Sequence, residues 1–232
     1  MSWVRNISIT FLAVVSLAAA PASQPAYLAP DNFDFRALLG DPPADDSQQH
    51  KDEVARLLTL QANRTPEEVA RCKSEEEVTV FAFATVVGPW FNEKNLPETA
   101  ALMAEVNKQA KIPTNAAKAL WNRTRPMLAD ARIHPCVVLE KSPSYPSGHA
   151  MRGILWATLL SEVFPGQRDS LMARGKQIGD DRFLAGMHYP SDVAAGQKLG
   201  AEIARRLLAD DAFRARLQAV RDECAVKNQA KL

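Results

Sequence analysis

Three short blocks between residues 118 and 192 hold the residue types needed to bind a phosphate dianion and break its ester bond. The set contains three permanent cations, two histidines, one carboxylate and a serine–glycine pair: Lys118, Arg125, Ser147, Gly148, His149, Arg182, His188 and Asp192. An arginine fork binds two phosphate oxygens at once, and a lysine adds a point charge. Because these fixed cations can neutralise the phosphate, the set predicts a phosphomonoesterase that uses neither a metal nor another cofactor.

The middle block, Pro146-Ser147-Gly148-His149, precedes an apolar run at residues 154–160 that is typical of a buried helix. Backbone N–H groups at a helix N-terminus attract anions, and a glycine there lets the anion come close. Ser147 can donate its hydroxyl to that anion, and His149 can supply a proton. An ordinary serine cap followed by a histidine in the first turn fits these four residues equally well.

The outer blocks pair residues at helical spacing. His188 and Asp192 are four apart, so the carboxylate can accept from one imidazole nitrogen and leave the other free to attack. Lys118 and Arg125 are seven apart, which puts both on one face if a single helix runs to Pro126. Each pair alone also fits a structural histidine or a solvated helix face, so only the combination of blocks indicates a site.

The order and spacing of the blocks resemble the signature of class A bacterial non-specific acid phosphatases. These enzymes belong to the type 2 phosphatidic-acid-phosphatase superfamily, which also contains vanadium-dependent haloperoxidases. The signature reads Lys-x6-Arg-Pro, then Pro-Ser-Gly-His, then Ser-Arg-x5-His-x3-Asp. This chain matches it at Lys118, Arg125-Pro126, 146–149, Arg182, His188 and Asp192. Asp181 stands where the family has serine, which brings a carboxylate near the phosphate unless it turns away or pairs with Arg182.

The resemblance implies a two-step mechanism on phosphate monoesters. His188, oriented by Asp192, would attack phosphorus and form a phosphohistidine, while His149 would protonate the leaving alcohol and then activate water. The phosphate would be held by Lys118, Arg125, Ser147, Gly148 and Arg182. We expect a broad range of small substrates, including nucleotides, sugar phosphates and aryl phosphates, and a homo-oligomeric protein.

Three other functions would use the same residues. A vanadate-dependent haloperoxidase would hold vanadate in the cationic pocket, although this chain is short for that family. A serine hydrolase would use Ser147 with His188 and Asp192, but Ser147 lacks the Gly-x-Ser-x-Gly turn and the cations would have no purpose. A non-catalytic phosphate-binding protein would give the two histidines no role.

The composition and the N-terminal residues limit the possible binding partners and the compartment of the protein. The 28 Lys+Arg nearly cancel the 27 Asp+Glu, so we expect no bulk attraction to nucleic acid. No stretch after the N-terminal run is long and apolar enough to span a bilayer, so we expect no stable membrane insertion. Arg5, an apolar run at residues 7–17 and the pattern Ala20-Pro21-Ala22 are typical of a cleaved signal peptide. We therefore expect residues 1–22 to be removed on export to the periplasm. The three cysteines allow at most one internal disulfide.

The sequence predicts that the elements that position the site are all helices. Residues 23–46 predict an extended arm, and residues 47–232 predict one acid phosphatase domain. We predict helices at 47–60, from Thr65 onward, and at 75–91, 96–109, 113–125, 147–163, 168–182, 191–208 and 210–227. The expected fold class is all-α, a single-domain helical bundle of the acid phosphatase/vanadium haloperoxidase type.

Overall fold

The structure is a computed structural model that describes residues 28–229. Over these residues the fold is all-α, as predicted, and the described chain contains no β-strand. The α-helices are α1 (Phe35–Leu39), α2 (Gln48–Asn63), α3 (Pro66–Ser74), α4 (Ala84–Val87), α5 (Pro97–Trp121), α6 (Pro126–Ala129), α7 (Gly148–Val163), α8 (Arg168–Leu184), α9 (Pro190–Ala209) and α10 (Asp211–Gln229). The predicted signal peptide lies outside the described residues. None of the described helices combines the length and apolar character needed to cross a bilayer.

Helix α7 is the central element, and it packs chiefly on α8 and α9. Glycines at both interfaces let the helix backbones approach closely. A Cβ added at Gly153 would lie 2.3 Å from the backbone oxygen of Gly175, and one at Gly196 would lie 2.3 Å from that of Ser147. The second contact fixes the start of α9 against the start of α7, where the second predicted block begins and the third ends.

Helix α5 corrects two predictions. Residues 96–109 and 113–125 were expected to form two helices, but one helix runs through Pro113 and ends at Trp121. Pro113 is buried, and burial of this helix face outweighs the usual cost of an interior proline, about 3 kcal/mol. Asn122, in the left-handed region with φ 46°, then ends the helix. Lys118 and Arg125 therefore do not share one helix face, because Arg125 precedes α6.

The segment at residues 75–91 also differs from the single buried helix predicted for it. It forms a 3-10 helix at Val80–Phe83 followed by the single turn of α4. The hydroxyl of Thr79 accepts from the backbone N–H of Phe81 at 3.3 Å, and Gly88, with φ 121°, ends α4. The β-branched residues Val78, Thr79 and Val80 lie in this short, irregular, partly buried stretch.

Capping contacts define the starts of two further helices. Thr65 and Glu68 form a reciprocal capping box at the start of α3. Helix α9 begins at Pro190, one residue before the predicted start at residue 191. Asp192 lies in the first turn, where its Oδ2 accepts from the backbone N–H of Tyr189 at 2.8 Å.

The described part of the predicted arm is packed on the helices. Leu28, Phe35 and Leu39 are buried in the main core, and the hydroxyl of Tyr145 donates to the backbone oxygen of Leu39 at 3.0 Å. All three cysteines are free thiols. Cys72 and Cys136 belong to one small apolar cluster, whereas Cys224 lies in the main core.

Candidate active site

The N-termini of α7 and α9 meet at one end of the bundle. The backbone N–H of Ser147 donates to the backbone oxygen of Asp192 at 2.9 Å. Ser147 caps α7 as predicted, because its Oγ accepts from the backbone N–H of Ala150 at 3.4 Å. A Cβ added at Gly148 would meet no heavy atom within 4 Å, so the space beside this backbone is open to an anion.

His188 and Asp192 lie together, and both are buried. Nδ1 of His188 is 3.4 Å from Oδ2 of Asp192. Nε2 of the same ring lies 3.3 Å from Nη1 of Arg125. A proton on Nδ1 faces the carboxylate, so the lone pair of Nε2 is directed toward the cationic side of the site.

The predicted cations converge on a single carboxylate, that of Glu140. Nη2 of Arg125 donates to its Oε2 at 2.8 Å, and Nη2 of Arg182 donates to its Oε1 at 2.7 Å. Lys118 donates from Nζ to the backbone oxygen of Pro143 and is close enough to Arg125 and Glu140 for both to affect its pKa. Two blocks that are far apart in sequence therefore border one pocket, which this carboxylate occupies.

His149 is the other imidazole at this pocket. Its Nε2 lies 3.2 Å from the backbone oxygen of Glu76, and its Nδ1 lies 3.8 Å from Oε1 of Glu140. A hydrogen bond to the Glu76 carbonyl puts a proton on Nε2. A second proton, on Nδ1, would then point toward the same position that the arginines surround.

Comparison with known proteins identifies the family of this chain. A family model described as the PAP2 superfamily matches residues 99–214, half of the chain. The non-specific acid phosphatase of Salmonella typhimurium is 30% identical over 226 residues, which cover 94% of this chain and 90% of that protein. The chain belongs to the PAP2 superfamily.

Two solved structures have a fold similar to that of this chain. A transmembrane PAP2-type phosphatidylglycerolphosphate phosphatase from Bacillus subtilis aligns with a TM-score of 0.53 and 20% identity, over 74% of this chain and 89% of its own. A bacterial vanadium-dependent iodoperoxidase aligns with a TM-score of 0.57 and 18% identity, over 74% and 52%. At these identities the likeness concerns the fold alone.

Asp181, the departure from the PAP2 signature, turns away from the pocket. Its two carboxylate oxygens accept from Nε and Nη2 of Arg71 in α3, both at 2.8 Å. It therefore pairs with Arg71 and not with its neighbour Arg182, whose Nη2 faces Glu140. A surface groove of about 810 Å³ includes Asp181 and Arg71 but none of the eight predicted site residues.

Burial and charge shift the titration of the PAP2 site residues. Burial lowers the pKa of His188 to about 4, although its hydrogen bond to Asp192 opposes this. Burial, with the guanidinium groups of Arg182 and Arg152, lowers the pKa of His149 well below the ordinary histidine value. Burial and then Arg125 lower the pKa of Lys118 to about 8. Both histidines are therefore neutral at pH 7 while Glu140, and not a phosphate, occupies the pocket.

The sequence did not indicate Arg123, which holds Asp192 in place at the PAP2 site. Its Nη1 donates to Oδ1 of Asp192 and to Oγ of Ser191, both at 2.7 Å. Its guanidinium carbon lies 4.1 Å from the centre of the Tyr189 ring. Its position two residues before Arg125 is the sequence feature that could have indicated this role.

Ser144 and Glu140 were missed as well. Oγ of Ser144 donates to Oδ2 of Asp192 and lies 3.4 Å from Nδ1 of His188. Glu140 lies in the irregular connection before α7, where no periodic pattern assigns a direction to a side chain. Nothing in the sequence indicated that either residue reaches the site.

The serine-hydrolase alternative gains no support from these contacts. The hydroxyl of Ser147 caps α7, while the ring nitrogens of His188 face Arg125, Ser144 and Asp192. Ser147 is thus not arranged as a nucleophile activated by His188. Within residues 28–229, no group of three or more His, Cys, Asp or Glu side chains is arranged to hold a metal ion.

Proposed function

We propose that this acid phosphatase of the PAP2 superfamily hydrolyses phosphate monoesters through a covalent phosphohistidine on His188. The observation that carries the proposal is the position of His188. Its Nδ1 is held by Asp192, and its Nε2 lies 3.3 Å from an arginine that already binds a carboxylate. A nucleophilic nitrogen and an anion-binding group are therefore next to each other in a buried pocket.

The cations supply the electrostatic stabilisation. A phosphoryl group in the position of the Glu140 carboxylate would be bound by Arg125 and Arg182, with Lys118 adding charge. Nε and Nη1 of Arg182 are buried and have no hydrogen-bond partner among the described residues, so they are available to further phosphate oxygens. The open backbone at Gly148 and the hydroxyl of Ser147 complete the set. Such donors act most strongly as charge develops on the equatorial oxygens.

In the first step, Nε2 of His188 attacks phosphorus and the bond to the leaving oxygen breaks. The imidazole becomes a cation whose Nδ1 proton stays on the ring and is hydrogen-bonded to Asp192. Nδ1 of His149 gives a proton to the leaving alkoxide. In the second step, His149 takes a proton from water, the water oxygen attacks phosphorus, and the P–N bond breaks to release phosphate and restore His188.

Substrate binding explains how His149 can carry the required proton. A phosphate dianion that displaces the single charge of Glu140 adds negative charge beside Nδ1 of His149. That charge opposes the effect of Arg182 and raises the pKa of His149 from its depressed value. The dianion thus promotes protonation of the group that must act as general acid.

The range of substrates, the compartment and the assembly are further parts of this proposal. The buried cations of the pocket bind the phosphoryl group of a substrate. Such a pocket suits small esters with varied leaving groups, such as nucleotides, sugar phosphates and aryl phosphates. The N-terminal pattern at residues 1–22 supports export to the periplasm. We also propose a homo-oligomer, and sedimentation of the mature protein tests that directly.

Hydrolysis of p-nitrophenyl phosphate by the purified protein, with EDTA present, tests the function. We expect turnover that vanadate inhibits and that sulfonyl fluorides leave unchanged. His188→Ala should lower kcat by at least about a thousandfold, because the covalent route is lost. Normal turnover by a folded His188→Ala protein would overturn the assignment, and full dependence on an added metal would overturn the metal-independent route.

A further inference from the structure

Glu140 holds its carboxylate between the two arginines assigned to the substrate. Oε1 accepts from Arg182 at 2.7 Å, and Oε2 accepts from Arg125 at 2.8 Å. Oε1 also lies 3.8 Å from Nδ1 of His149. Two oxygens that bridge two guanidinium groups beside an imidazole reproduce the contacts a phosphoryl group would make. The carboxylate therefore takes the place of two substrate oxygens.

The exposed fractions of these side chains show which of them lies nearest to solvent. The side chain of Glu140 is 37% exposed, whereas those of Arg125 and Arg182 are 1% and 3% exposed. The carboxylate thus lies between solvent and the cations. Burial opposes its ionisation, but the guanidinium groups of Arg125 and Arg182 leave the pKa of Glu140 lowered. An incoming phosphate must displace an ionised carboxylate.

The loop around Glu140 permits that displacement. The backbone N–H of Val138 donates to Oε1 of Glu76 at 3.1 Å on one side. Nε of Arg125 donates to the backbone oxygen of Ser142 at 2.7 Å on the other. Glu140 lies between these anchors and has three rotatable side-chain bonds. Rotation about them moves the carboxylate toward solvent while both anchors stay in place.

We propose that Glu140 is a specificity-determining residue, a tethered anion that competes with the substrate for the phosphate position. The proposal rests on the proposed function, because it takes this pocket as the substrate site. A monoester dianion brings three terminal oxygens, enough to replace both carboxylate contacts and to reach the unpartnered nitrogens of Arg182. A diester brings one charge and two free oxygens, no more than Glu140 provides. Glu140 therefore favours monoesters over diesters.

Glu140→Gln tests the proposal, because it removes the charge while keeping the size of the side chain. We expect its KM for p-nitrophenyl phosphate to fall by about fivefold to tenfold, and its inhibition constant for vanadate to fall by a similar factor. Its rate with bis(p-nitrophenyl) phosphate should rise relative to the monoester rate. Glu140→Asp, which keeps the charge but shortens the reach, should give an intermediate KM.

Glu77→Gln is the matched control, since Glu77 is exposed and lies next to Glu76, whose backbone oxygen contacts His149. It removes the same charge from the same side of the protein and should leave KM within twofold. An unchanged or raised KM in Glu140→Gln would overturn the proposal, and so would equal changes in Glu77→Gln. A fall in kcat without a fall in KM would mean that Glu140 assists the reaction.

Calorimetry with inorganic phosphate separates this proposal from the proposed function. Binding needs only the pocket, so Glu140→Gln should bind phosphate about fivefold to tenfold more tightly whether or not the reaction passes through His188. Tighter binding with no phosphohistidine would leave the competition intact and refute the covalent route. Turnover through His188 with unchanged phosphate affinity would refute the competition alone.

Discussion

Arg123 donates from Nη1 to Oδ1 of Asp192 at 2.7 Å, and both side chains are almost fully buried. The other oxygen of the same carboxylate, Oδ2, faces Nδ1 of His188 at 3.4 Å. The guanidinium therefore fixes the carboxylate that fixes the imidazole. Arg123 has no contact with the phosphate position in this arrangement and acts as a positioning residue.

Arg123→Lys tests this positioning role. Lysine keeps the charge but loses the planar fork that reaches Asp192 and Ser191 together. We expect kcat to fall by about tenfold to a hundredfold, because a small misplacement of His188 weakens its attack, while KM changes by less than twofold. Arg132→Lys, at an exposed arginine that pairs with Asp130, is the control. A parallel rise in KM and no loss of kcat would contradict the role.

The pH dependence of kcat/KM follows from the two depressed histidine pKa values. His188 must be neutral to attack, and its pKa of about 4 keeps it neutral above that pH. His149 must be protonated, and its pKa in the free enzyme lies well below 6.5. The profile should therefore rise near pH 4 and already decline by pH 6.5. Steady-state rates across pH 3.5–8 measure it, and a plateau reaching pH 8 would contradict these protonation states.

Gly196→Ala should separate the two helices that carry the site. Its Cβ would lie 2.3 Å from the backbone oxygen of Ser147, so α9 must move away from α7. We expect the free energy of unfolding to fall by about 1–3 kcal/mol, as overpacked cores do, with a loss of kcat. Urea unfolding and activity measure both effects. Gly166→Ala is the control, since a Cβ there meets no atom within 4 Å, and equal losses in both variants would refute the contact.

Asp181→Ser restores the residue of the family signature and removes the pair with Arg71. That pair joins α3 to α8 through two hydrogen bonds of 2.8 Å. We expect a loss of roughly 1–3 kcal/mol in the free energy of unfolding, with KM unchanged within twofold. The same measurements on Arg71→Gln and on the double variant give the coupling energy. A large change in KM would place Asp181 at the phosphate after all.

The sequence predicted the parts of this protein that depend on local signals. Caps such as Thr65 and Ser147 are specified by a hydroxyl and its near neighbours, and the structure has both. The all-α class also followed from local patterns. The convergence of His149 and His188 required the family signature, because no local pattern relates residues that lie on different helices.

The sequence-based predictions were wrong or incomplete where tertiary packing decided the local structure. Pro113 is a reliable helix breaker in isolation, yet it lies inside α5 because that face is buried. Arg125 lies beside Lys118 through the fold of the chain after Asn122 and not through a shared helix face. Glu140 reaches the pocket from an irregular loop, and loop side chains have no period from which to predict their direction.

The central claim is a covalent bond between phosphorus and Nε2 of His188, and trapping that intermediate tests it most directly. The enzyme is mixed with p-nitrophenyl phosphate, quenched in alkali within milliseconds and digested for mass spectrometry. We predict one phosphoryl group on the peptide containing His188, together with a burst of p-nitrophenol that Arg123→Lys slows. Active enzyme whose quenched peptides carry the phosphoryl group on Ser147 or His149 would contradict the account, as would active enzyme with no phosphorylated peptide.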